Sequence, residues 1–121
     1  MTTVVDPAGT PSVTFNLSGV AIVSVTPGPV NNATTAGVIQ HFAGETVALA
    51  ASTVTDSSVI FASDFEVGDV VEVYSNGSAI LKLFPASGET INLTGGVTIA
   101  SHCSAIFRKI SSSDWMMTKS V

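Results

Sequence analysis

Apolar and polar residues alternate with a period of two along much of this chain. Val13, Phe15 and Leu17 are separated by Thr14 and Asn16, which predicts a strand with its apolar set on one face. Val20 to Val25 is a nearly continuous apolar run rich in β-branched residues, read as a strand buried on both faces. Strand signals follow at Thr46–Leu49, Val59–Phe61, Val70–Tyr74, Ala79–Phe84, Thr90–Leu93, Val97–Ala100, Ser104–Ile110 and Trp115–Thr118. Glycine, proline, serine and asparagine clusters punctuate them. The Ala-rich stretch from Val47 to Thr53 is too short and too interrupted by Ser and Thr to predict a helix. No internal repeat is visible in the residues themselves.

Two breakers organise this pattern. Thr26-Pro27-Gly28-Pro29-Val30-Asn31-Asn32 divides residues 1–30, an extended arm or additional strands, from a body over residues 31–121. The arm's apolar runs either join the body's core or reach onto another subunit. Asn76-Gly77 predicts a type I′ hairpin turn with φ > 0 at Gly77, pairing Val70–Tyr74 antiparallel with Ala79–Phe84. Many short strands with closely spaced turns predict an all-β fold, a single β-sandwich or jelly-roll-like domain.

Composition sharpens the functional reading. At 121 residues the chain is long enough for one domain with a core. Apolar residues make up 45% of it, while charged residues reach only 11%, against roughly 25% in an average soluble domain. Such a chain depends on Ser, Thr and Asn for solubility, or covers part of its surface with other chains. The net charge is −5, with Lys82, Arg108, Lys109 and Lys119 the basic residues. Arg108 and Lys109 adjoin, but neighbours on a strand face opposite ways. No basic footprint for direct nucleic-acid binding results.

Candidate chemistry is sparse. Cys103 is the single cysteine, so no intrachain disulfide forms. His102 and Cys103 are neighbours that diverge on a strand, and neither completes a zinc site or a nucleophile–base pair with His41. Asp64, Glu66 and Asp69 cluster around a loop and read as solvated turn formers. Gly95-Gly96 lacks the lysine of a phosphate loop. The expectation is no enzyme, no cofactor and no metal. The first residues show no charged start followed by an apolar stretch, and no run approaches a membrane span. Synthesis in a cytoplasm is therefore expected, with no membrane partner. Trp115, Met116 and Met117 place large apolar groups on both faces of the last strand. With Val13, Phe15 and Leu17 they form the candidate interface.

From Phe65 to Trp115 the sequence resembles small structural proteins of tailed bacteriophages. The resembling residues are Val67-Gly68-Asp69-Val70-Val71-Glu72-Val73-Tyr74, the Leu83–Asn92 stretch with Pro85-Ala86-Ser87-Gly88-Glu89-Thr90-Ile91-Asn92, then Val97–Ala100, Ser104–Phe107 and a closing Trp115. They cover under half of the sequence, which departs from the pattern at Leu93-Thr94. The resemblance implies a virion component without enzymatic residues. A capsid decoration (cement) protein is expected, a homo-oligomer, most simply a trimer, that sits on the capsid exterior and stabilises the major capsid protein. The alternative is a tail or fibre module that binds a host surface glycan through Tyr74 and Trp115.

Overall fold

The strand signals become thirteen strands in a computed structural model, which describes residues 2–4, 13–15, 20–42 and 45–120. They are β1 (Thr2–Val4), β2 (Val13–Phe15), β3 (Val20–Val25), β4 (Gly28–Pro29), β5 (Gly37–Ile39), β6 (Glu45–Ala50), β7 (Asp56–Phe61), β8 (Val70–Ser75), β9 (Leu81–Phe84), β10 (Thr90–Ile91), β11 (Val97–Ile99), β12 (Ser104–Lys109) and β13 (Asp114–Ser120). The described residues contain no helix. One sheet has the order β1-β2-β3-β6-β8-β12-β13-β10. The other runs β11-β9-β7-β4, with β5 also on β7.

The fold is all-β, but its central strands pair in parallel. β3, β6 and β8 are parallel neighbours in the larger sheet, and β5, β7 and β9 are parallel neighbours in the smaller one. The backbone alternates between the sheets, so each coil stacks on the one before. Val20 lies beside Glu45 and Thr46 beside Val71, a step of 25 residues in each case. This is a solenoid-like wind rather than the antiparallel pairing of a jelly roll. The repeat left no trace in residue identity because each coil needs only small or branched residues facing inward. The β12–β13 hairpin ends the wind, pairing antiparallel with β8.

Inward-facing residues form ladders across the larger sheet. Ala21, Thr46, Val71 and Phe107 share one row, and Val23, Ala48, Val73 and Ala105 the next; all are buried. Ile39, Val59, Phe61, Leu81, Leu83 and Ile99 close the core from the smaller sheet. At the late-coil end, Phe61 stacks on Trp115 at 4.1 Å and meets Phe107 edge-on at 5.4 Å. Phe65 meets Trp115 edge-on at 5.2 Å. Such aromatic contacts each add about 0.5–1.5 kcal/mol beyond the area they bury.

Three expectations are corrected here. β3 is buried on one face only: Ile22 and Ser24 point outward, because none of the described residues forms a layer over that side of the sheet. The 70–84 hairpin does not form. β8 already has β6 and β12 on its two edges, so the backbone crosses over at Asn76-Gly77 and β9 joins the other sheet. Gly77 is not among the positive-φ residues, which include Gly68 and Gly88. Instead a Cβ on Gly77 would lie 2.1 Å from the Ser52 carbonyl oxygen.

β3, just before the Pro-Gly-Pro segment, pairs with β6. β3 packs its inner face into the common core, and Gly28 pairs with Ser58 in β7. A Cβ on Gly28 would lie 2.0 Å from the Thr35 carbonyl oxygen, so this loop closes on itself through the glycine.

One polar atom in the core is unmatched. Thr46 is 1% exposed, and its Oγ1 has no hydrogen-bond partner among the described residues. Valine has nearly the same shape without the hydroxyl. Thr46→Val is expected to stabilise the fold by about 1–2 kcal/mol, since an unsatisfied buried hydroxyl costs that much. Chemical denaturation would check it: a midpoint at or below that of the parent protein would show that the hydroxyl has a partner.

Candidate docking face

The outer face of the larger sheet follows from the same alternation that built the core. Ile22, Val47, Glu72, Ile106 and Thr118 lie side by side across β3, β6, β8, β12 and β13. Flanking rows are Val20, Glu45, Val70, Arg108 and Met116, then Ser24, Leu49, Tyr74 and Ser104. Ile22, Ile106 and Met116 are 38%, 42% and 43% exposed. Three charged residues interrupt this face: Glu45, Glu72 and Arg108. Five strands at ~4.8 Å and three rows at ~6.8 Å give it roughly 500 Å².

The sequence-derived interface residues separate on the structure. Met116 is on this face. Met117 turns inward and packs against the core. Trp115 is completely buried, so it belongs to the core rather than to an interface or a glycan platform. Val13 and Phe15 lie in β2, beside Val23 and Ala21 of β3. Leu17 lies outside the described residues. Ile22, Val47, Leu49 and Ile106 were missed as surface residues, because an apolar residue on a strand does not announce which face is covered.

Trp115 is held by a buried ion pair. Lys109 is 4% exposed; its Nζ donates to the Phe65 carbonyl at 2.9 Å and to Glu89 Oε2 at 3.2 Å. Trp115 Nε1 donates to Glu89 Oε1 at 3.0 Å, and Lys109 Nζ sits 5.8 Å from the indole ring. This network ties the loop after Phe84 to the end of the wind. Arg108 points outward, as alternation predicts.

The remaining candidates do not assemble a reactive centre. His41 Nε2 lies 2.9 Å from Asp69 Oδ2, and its Nδ1 3.8 Å from Asp64 Oδ2. Asp69 also accepts the Glu66 amide at 2.7 Å. Asp64 and Asp69 are therefore partners of a histidine from an earlier coil rather than turn formers alone. Glu66 itself is exposed. His102 is exposed with φ 61°, and Cys103 packs against the core. The Ser101 hydroxyl donates to the Gly77 carbonyl at 2.6 Å, so its proton is not directed at His102 Nδ1, 3.1 Å away. That arrangement does not activate a serine nucleophile. Among the described residues, no group of three or more His, Cys, Asp and Glu is placed to hold a metal ion, and no helix is long and apolar enough to cross a membrane.

A shallow groove of about 360 Å³ lies on the smaller sheet's outer side, floored by Ile60 and Phe84 and rimmed by Thr34, Ser87 and Glu89. Lys82 Nζ lies 5.6 Å from the centre of the Phe84 ring. No protein-family model matches the sequence, and no curated protein matches it.

Proposed function

We propose that this protein is a virion structural protein, a capsid decoration protein that docks on the outside of a phage capsid through the outer face of its larger sheet. The observation that carries the reading is that face: Ile22, Val47, Leu49, Ile106 and Met116 lie together across five paired strands, with Glu45, Glu72 and Arg108 among them. Its ~500 Å² is below the ~800 Å² per partner of a standard stable complex. A face of that size suits a repeating lattice, where several copies of a trimer engage at once and avidity replaces single-site affinity. The resemblance of the Phe65–Trp115 segment to phage structural proteins supports the same reading.

The groove over Ile60 and Phe84 favours the second reading, a tail or fibre module that holds a host glycan. An apolar floor with a polar rim is the form such a site takes.

Capsids lacking the protein, mixed with the purified protein and imaged by electron microscopy, test the choice. Density over the outer capsid surface is expected. Ile22→Lys with Ile106→Lys is expected to weaken particle binding roughly a hundredfold, about 3 kcal/mol of lost apolar contact, without lowering the unfolding midpoint. Density confined to the tail, or binding untouched by the two lysines, would overturn the reading.

A further inference from the structure

We propose that Asn76 is a site of spontaneous covalent modification, and that its conversion loosens the corner between two coils. Asn76 is exposed, and it is the only asparagine in the sequence followed by glycine. The Asn76 amide donates to Ala50 O and the Ser78 amide to Ser52 O, both at 3.0 Å. Between them, the Gly77 amide donates to none of the described residues. Gly77 also lacks the side chain that shields the nitrogen elsewhere. That nitrogen is the nucleophile. It loses its proton and attacks Asn76 Cγ; the new C–N bond forms as the carboxamide Cγ–Nδ2 bond breaks and ammonia leaves. Water then opens the cyclic imide at either carbonyl, giving aspartate or iso-aspartate.

The two products have different consequences here. Aspartate keeps the backbone length, so both flanking hydrogen bonds survive. Iso-aspartate adds a methylene to the backbone between them. The Ala50 and Ser52 carbonyls are fixed by the coil beneath, so one of the two bonds must be lost. The Gly77 carbonyl, held by Ser101 Oγ, shifts with it.

The folded protein would be aged in mildly alkaline buffer well below its unfolding temperature, then followed by intact mass and by peptide mapping with fragmentation that separates iso-aspartate from aspartate. Loss of the Asn76 amide is expected while Asn31, Asn32 and Asn92 keep theirs. The fraction carrying iso-aspartate should melt at lower temperature than fresh protein, and Asn76→Gln should age without either change. An Asn76 amide that survives as long as those of Asn31, Asn32 and Asn92, or ageing of Asn76→Gln that matches the parent, would overturn the proposal.

Discussion

Gly77→Ala is expected to destabilise the fold by about 3 kcal/mol, at the upper end of overpacking costs, and to lower the thermal midpoint by about 10 °C. The Cβ would meet Ser52 O at 2.1 Å, Ser52 N at 2.2 Å and Ala51 C at 2.7 Å. All three are backbone atoms, so no side-chain rotation relieves the contact. The crossover of one coil rests directly on that of the coil before, and two hydrogen bonds hold the separation. Gly77→Asn separates this cause from a turn requirement. Asparagine tolerates left-handed backbone, so it would cost little if φ were the constraint. Here it carries the same Cβ and should cost as much as alanine. An asparagine variant that melts with the parent protein would sink the steric account.

Lys109→Met should cost about 3–5 kcal/mol, the usual penalty for removing one partner of a buried ion pair. Lys109 and Glu89 expose only 4% and 11% of their side chains. Without Lys109, the Glu89 carboxylate keeps a single hydrogen bond among the described residues, from Trp115 Nε1, and the Phe65 carbonyl loses the Lys109 donor. Methionine retains most of the side-chain volume, so the loss reads the charge rather than a cavity. Lys109→Met combined with Glu89→Gln removes both charges and leaves the Trp115 partner in place; it should recover at least half of the deficit. Guanidinium unfolding of the three variants reads the coupling directly. A single variant as stable as the parent would mean that desolvation cancels the attraction entirely.

Strand content was legible because a period of two is a local property. β8, β12 and β13 fall within two residues of where alternation and turn residues put them, and Arg108 and Lys109 face opposite ways for the same reason. The aromatic residues at the end of the sequence were recognisable as important, but not as core. Trp115 became core because Phe61 and Phe65 arrive from an earlier coil. The His41–Asp69 pair was invisible for a similar cause, since the partners meet only when successive coils stack.

By itself, then, the sequence determined that this protein is built of short strands, with little charge, a single cysteine and no ready-made reactive motif. Only the tertiary structure decided how the strands pair. Parallel and antiparallel neighbours demand the same alternation, so nothing in β8 or β9 distinguishes a hairpin from a crossover. That choice was made by β6 and β12, which occupy both edges of β8, and by Ser52, whose backbone leaves room for glycine alone at position 77. The same contest over edges and faces put Ile22, Ile106 and Met116 on the outer face of the larger sheet, where they stay exposed among the described residues.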